Sequence, residues 1–335
     1  MLLTPIILFV ILMVLLYVPP VQSFIRKQAT AIASDATGMD ISVERIDLRF
    51  PLNLLVRGVQ VVQSENDAVD VQHPDTLLNL GSLNVRVQAW PLLQGRVEVD
   101  DITLRQVAVN SSNLLEGMHV KGNLGRFFLE SHGIDLKQEN AVLNNVELND
   151  THVQVVLTDT TETPKDTATT ALNWQIALHN LRLKNVSVDL RMSLDSMTLA
   201  ARVGDASIED ANADLRRQFY GWRKFALTGT AVNYDSGTAV PAEGFDASHI
   251  ALRDIRIGID SVMTCGREMN AVIREFSMYD RSGLSVTSLT GRLSADSTLI
   301  RIPYLQLKTP HSEMDLTAQT YWKLVDIPTT GRLTA

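Results

Sequence analysis

An alternation that keeps breaking and resuming constrains this chain more than any other feature: apolar-x-apolar-x-x-apolar-x-apolar, with Val, Ile or Leu in the apolar places. It runs through Val97, Val99, Ile102, Leu104, Val107 and Val109, returns at Leu181, Leu183, Val186 and Val188, and recurs imperfectly at Val146, Leu148 and Val153. Strict alternation is the period of a strand with one buried face, because successive side chains on a pleated backbone point to opposite sides. The extra residue shifts the phase by one and would turn the next apolar pair to the wrong face, unless a bulge, bend or turn absorbs it. The spacing therefore predicts a mostly β chain: a long, curled antiparallel sheet that keeps one aliphatic face.

Length alone leaves open one large β domain or two to three ordinary ones among 335 residues. The balance of 38 acidic to 30 basic residues, net −8, contains no Lys/Arg block of the kind that tracks phosphates, which argues against nucleic acid as a partner. A single cysteine, Cys265, excludes an internal disulfide framework and a cysteine-built zinc site.

Residues 2–18 read LLTPIILFVILMVLLYV, uncharged and followed by Pro19-Pro20. At 1.5 Å per residue this run would reach about 26 Å as a helix, enough to span a bilayer with its interface residue at one end. The expectation is a transmembrane signal anchor over 1–20, carried by Leu2, Ile6, Ile7, Leu8, Phe9, Val10, Ile11, Leu12, Val14, Leu15, Leu16 and Tyr17. The competing reading is a signal peptide cut after Ser23, against which stand the length of the run and the lack of a basic leader. Arg26 and Lys27 lie on the C-terminal side and by the charge rule alone would place the body in the cytoplasm, a conflict that a missing basic leader would remove.

Val21, Phe24, Ile25, Ala29, Ile32 and Ala33 then recur at helical spacing up to Gly38, predicting an amphipathic helix over 21–38. From 39 to 335 the period is two. Ser111 to Lys137 loosens it with four glycines, and Arg126 to Leu129 reads as a strand or a short covering helix. Asp205 to Tyr220 reads as a strand pair or a helix, since Ile208, Ala211, Leu215 and Phe219 also fit a spacing of three and four. Residues 159–170, DTTETPKDTATT, predict an exposed loop. The chain ends soon after a strand-like segment with no cap, which predicts the N-terminal part of a longer repeating protein.

Catalytic chemistry finds no foothold. The seven histidines, His73, His119, His132, His152, His179, His249 and His311, are scattered singly, mostly beside turn residues. H-E-x-x-H, G-x-S-x-G, Walker and dinucleotide fingerprints are absent. Asp100-Asp101 and Glu209-Asp210 fall between apolar pairs, where solvated turns are expected. Asp-Ser/Thr before an apolar residue recurs at Asp75-Thr76-Leu77, Asp195-Ser196-Met197 and Asp260-Ser261-Val262, and reads as turn chemistry preceding a strand, or as an O-glycan acceptor. The expectation is a non-enzyme with no cofactor and no metal.

A sheet with one aliphatic face must cover it, close on it or fill it. Aromatic residues, which plug barrels efficiently, make up only 6% of the chain, and the pattern continues over most of its length, which favours an open slot suited to acyl chains. The groove candidates are Val85, Val87, Val97, Val99, Ile102, Leu104, Val107, Val109, Ile176, Leu178, Leu181, Leu183, Val186, Val188 and Leu190. Each of these is equally readable as ordinary sheet core.

The anchor with PPVQSFIRKQATAIASDATGMDISVERIDLRFPLNLLVRGVQV, the stretch DTLLNLGSLNVRVQAWPLLQGRVEVDDITLRQVAVN, and the later EGFDASHIALRDIRIGIDS and LTGRLSADSTLIRIPYLQLKTPHSEMDL resemble the N-terminal region of the AsmA-like, TamB-type envelope proteins. The resemblance implies an inner-membrane anchor, a periplasmic body built as a U-shaped apolar β groove, and a C-terminal domain, absent here, that meets an outer-membrane barrel-type partner. It implies one of two roles. The first is conduction of phospholipid between inner and outer membrane. The second is a scaffold for translocation and assembly of outer-membrane proteins, working by β-augmentation.

Overall fold

The computed structural model describes residues 39–49, 52–62, 76–88, 99–111, 117–135, 138–158, 173–193, 196–237 and 240–321, together with Lys27, Thr30 and Ser34. Those three single residues are helical and fall within the span read as an amphipathic helix; Ser34 Oγ accepts a hydrogen bond from the Ile41 N–H at 3.0 Å. The candidate anchor residues, Val97 and the loop 159–170 lie outside the described residues. No helix among the described residues is long and apolar enough to cross a membrane.

The strands are β1 (Asp40–Arg49), β2 (Asn53–Val62), β3 (Thr76–Val87), β4 (Val99–Asn110), β5 (Met118–Asp135), β6 (Asn140–Leu157), β7 (Gln175–Met192), β8 (Met197–Asp214), β9 (Phe219–Ser236), β10 (His249–Cys265), β11 (Glu268–Asp280), β12 (Ser285–Val286), β13 (Ser288–Ala295), β14 (Leu299–Lys308) and β15 (Glu313–Tyr321). They form one antiparallel sheet in chain order, with the short β12 set aside as a second partner of β11. The sheet does not close on itself. Every pairing on the main path joins strands that are consecutive there, so no crossover is needed.

The chain divides into two compact units. One comprises Met1–Ile134, Val146–Thr161 and Val186–Ser196; the other comprises Asp135–Asn145, Glu162–Asn185 and Met197–Ala335. In the first, β1 to β5 keep a regular register in which the apolar positions meet one another. Leu48, Leu54, Val85, Ile102 and Leu129 are successive cross-strand partners, as are Ile46, Val56, Leu83, Leu104 and Phe127. Farther along the strands come Val43, Val59, Leu80, Val107 and Leu124, and then Ile41, Val61, Leu78, Val109 and Gly122.

The phase shift between these two sets is absorbed inside the strands. The second residue of each interrupting pair adopts a left-handed backbone: Gly58 at φ 60°, Gln106 at 55°, Asp150 at 52°, Asn185 at 53°, Gly229 at 61° and Asp254 at 53°. These are Gly, Asn, Asp and Gln, mostly the residue types that tolerate this region. Exposure reports the outcome. Arg105 and Gln106 are exposed between half-buried Leu104 and Val107. Lys184 and Asn185 are exposed between half-buried Leu183 and buried Val186, and Arg253 and Asp254 between half-buried Leu252 and buried Ile255. Two polar residues in a row point outward, and the apolar pairs on either side return to one face.

A left-handed residue crowds its neighbour, which explains the glycines opposite. Gly81 and Gly125 both flank Gln106 in the register. A Cβ on Gly125 would lie 2.8 Å from Asp150 Cβ and 3.0 Å from its carbonyl oxygen, and one on Gly204 would lie 2.8 Å from the Gly229 carbonyl oxygen. Of the glycines that loosened the pattern over Ser111 to Lys137, Gly125 belongs to this seam; the stretch contains β5, an 18-residue strand, and of the two readings of Arg126 to Leu129 the strand holds.

Of the two readings of Asp205 to Tyr220 the strand pair holds: the segment contains the end of β8 and the start of β9, and the spacing of three between Ile208 and Ala211 arises from left-handed Asp210 (φ 52°) within β8. Other expectations are corrected. Asp100-Asp101 and Glu209-Asp210 are not solvated turns but lie within strands, at the start of β4 and in the second half of β8: the register slips between β3 and β4 at Val99–Asp101, and Asp101 is only 6% exposed, with Arg86 Nε 3.1 Å from its Oδ2. Ser261 (φ 54°) stands inside β10, not before a strand, although Ser196 (φ 50°) does precede β8 in a turn. His132, His152 and His179 sit within strands and not beside turns, whereas His119 follows the turn at Gly117 as the second residue of β5.

Candidate functional site: an uncovered aliphatic face

Because cross-strand partners share a face, the four aliphatic rows of β1 to β5 make one continuous apolar surface. Shielding of this surface comes from its own neighbours. Among the described residues no large side chain is fully buried, and most members of the rows are half-buried. A packed interior would put Leu and Phe at near-zero exposure. Leu77 at 5% and Leu80 at 7% are the deepest aliphatic positions of β3.

The structure brings most sequence candidates of the first unit together. Val85 faces Ile102, Val87 faces Val99, and Val107 and Val109 join Leu80 and Leu78; Leu104 pairs with Leu83. Val109 is the most exposed of them, at 38%. On β7, Ile176, Leu178, Leu181, Leu183 and Leu190 are half-buried, Val186 is buried and Val188 is exposed. The sequence reading missed the partners on β1, β2 and β5: Ile46, Leu48, Leu54, Val56, Val59, Leu124, Phe127 and Leu129 complete the same rows. A signal for them existed in Val56-Arg57-Gly58-Val59, another copy of the interrupted alternation with glycine at the left-handed place.

The second unit repeats the arrangement. Leu199, Tyr234 and Ile250 are partners, as are Ala201, Val232 and Leu252; Ala206, Leu227, Ile257 and Phe276 form a third row, and Ile208, Phe225, Ile259 and Ile273 a fourth. Charge gathers at the interruptions between apolar pairs. Arg223 donates to Asp210 Oδ2 at 2.7 Å and to Glu209 Oε2 at 2.6 Å, and His179 Nδ1 lies 2.7 Å from Asp210 Oδ1. The Arg223 hydrogen bond, then that of His179, holds the Asp210 carboxyl below the usual carboxylate range, and Asp210, then Glu209, raises Arg223. These are surface ion pairs whose contribution to stability is small.

Among the described residues no group of three or more His, Cys, Asp or Glu side chains is placed to hold a metal ion. Cys265 is free and partly exposed, with Sγ 3.8 Å from the Arg217 carbonyl oxygen. What the aliphatic face can do chemically is exclude water from an apolar guest and offer it almost no hydrogen bonds. No protein-family model matches this chain, and no curated protein matches it.

Proposed function

We propose that the chain conducts phospholipid along its aliphatic face between inner and outer membrane, as the resemblance to AsmA-like, TamB-type envelope proteins implies. In this reading the sheet curls into a U-shaped groove, the run 2–18 anchors it in the inner membrane, and the body lies in the periplasm. Acyl chains lie across the strands against the rows and head groups stay in water at the rim. No residue performs catalysis and no cofactor takes part.

The observation that carries the reading is the set of unbroken aliphatic rows in a sheet that is not closed. Five strands at about 4.8 Å make a path of roughly 19 Å. Half of a hydrocarbon core of about 30 Å, the depth of one leaflet, is roughly 15 Å. A single acyl chain therefore fits within the first unit alone, at a gain of up to about 0.8 kcal/mol per methylene removed from water.

A transfer assay between donor and acceptor vesicles tests the reading. Leu104→Asp, a charge in the middle of the second row, should cut the rate about tenfold or more, since an acyl chain cannot pass a desolvated carboxylate cheaply. Ala108→Asp, on the same strand but on the other face, should leave it near wild type. Equal effects of the two, with both variants folded by circular dichroism, would remove the conduit.

A second reading is favoured by β15, whose residues are nearly all exposed and which has β14 as its one strand partner among the described residues. Such an edge could add a strand of an outer-membrane protein by β-augmentation. Crosslinks from backbone-proximal probes at Asp315 and Thr317 to nascent barrel strands, with none to lipid at Leu104, would favour it.

A further inference from the structure

The opposite face of the first unit carries an ordered row of its own. Arg45 is the partner of Arg57, Arg57 of Ser82, Ser82 of Arg105, and Arg105 of Arg126. Like charges directly opposite on neighbouring strands cost stability. The two ends are neutralised: Arg45 Nε donates to Asp47 Oδ1 at 2.6 Å, and Arg126 Nη1 to Glu147 Oε2 at 3.2 Å. The middle pair, Arg57 and Arg105, is exposed and has no ion-pair or hydrogen-bond partner among the described residues.

Next to Arg105 the face dips into a concavity lined by Arg49, Asn53, Leu55, Ser82, Asn84, Thr103 and Arg105. The lining holds two guanidinium groups, two amides and two hydroxyls, and no carboxylate. None of these polar side chains is hydrogen-bonded to another described residue, and Asn53 Oδ1 is buried without a donor. The contrast is sharp in a chain of net charge −8, where Arg86, Arg223, Arg274 and Arg301 each face a carboxylate.

We infer that this concavity binds a phosphate ester. Arg49 and Arg105 approach from different strands and supply paired N–H donors to the phosphate oxygens, the geometry in which guanidinium outperforms ammonium. Ser82, Thr103 and Asn84 add neutral donors from β3 and β4. A lipid head group such as phosphoglycerol and a free sugar or glycerol phosphate share this chemistry. The site lies on the face away from the aliphatic rows and stands whether or not those rows conduct lipid.

The whole chain is titrated calorimetrically at low ionic strength with glycerol 3-phosphate and, separately, with dihexanoyl phosphatidylglycerol below its micelle concentration. Saturable binding is expected, weakened about tenfold by Arg49→Gln and by Arg105→Gln. Ser82→Glu, which sets a carboxylate among the phosphate oxygens, should abolish it. Lys184→Gln, the loss of an equal charge on β7, should leave it unchanged. Binding of both probes marks the head-group chemistry alone as sufficient; binding of the lipid only, still lost in Arg105→Gln, marks lipid as the source. No saturable binding of either probe, or binding indifferent to both arginine substitutions, or an equal loss in Lys184→Gln, overturns the site. Should Ser82→Glu fail to fold, the two arginine variants, on exposed side chains, decide the matter.

Discussion

At the scale of single residues, the fold turns on positions where a Cβ has no room. Gly125 lies beside left-handed Asp150, with 2.8 Å between its hypothetical Cβ and the Asp150 Cβ. Alanine there forces two backbones apart and should cost about 1–3 kcal/mol in urea unfolding. Gly258→Ala is the matched control: its Cβ would sit at an ordinary 3.5 Å from Glu275 Cβ, and the residue is not left-handed. Its effect should stay within about 0.5 kcal/mol. Equal costs for the two would mean that the seam glycines answer to strand propensity and not to crowding. The same crowding explains why the sequence misled over Ser111 to Lys137. Glycine normally weakens a strand reading, yet Gly122 and Gly125 are what the neighbouring strands require there.

At the scale of elements, the interrupted alternation was legible because each strand pair repeats it, and its second polar place already carried Gly, Asn, Asp or Gln. The helix alternative at Ile208, Ala211 and Leu215 had a physical origin, since a left-handed residue turns a spacing of two into three. The acidic pairs were misread for a related reason: Asp100-Asp101 has turn composition, but the slip in register between β3 and β4 keeps it inside the ladder. Where turn chemistry does operate, it is well defined. Between β13 and β14, Asp296 Oδ1 accepts from the Thr298 N–H at 2.8 Å and the Leu299 N–H at 2.9 Å, and Arg301 Nη1 donates to Oδ2 at 2.7 Å. Those two amides, then Arg301, lower the carboxyl from 3.8 to about 2. A depressed folded value means that the contribution to stability is fully present above the unfolded value and is lost as pH falls through the folded one, hence across about pH 4 to 2. An NMR titration of the Asp296 carboxyl should give a midpoint near 2 that rises in Arg301→Gln. A wild-type midpoint near 3.8 would contradict this account of the turn.

At the scale of the whole molecule, the described residues form a large ordered sheet in which no large side chain is fully buried. Its apolar residues are arranged in rows and not in a centre, so ordinary core arguments apply weakly. Sequence alone identified the rows through Val85, Ile102, Leu104 and Val107, but could not assign Ile46 or Phe127 to them, because membership depends on register between strands and not on period within one. The basic row was invisible for the same reason: Arg45, Arg57, Arg105 and Arg126 are far apart in the chain and become neighbours only through pairing.

The central claim is that the aliphatic rows face a lipid path and that the left-handed seam keeps them on one side. A photo-crosslinking scan along β4, one residue at a time from Ile102 to Val109, tests both halves together. The account predicts capture of the acyl chain at Ile102, Leu104, Val107 and Val109, and none of it at Thr103, Arg105, Gln106 and Ala108, so that the alternation breaks once, at Arg105-Gln106. Capture that alternates without a break, that favours the polar positions, or that is absent from all eight would contradict it.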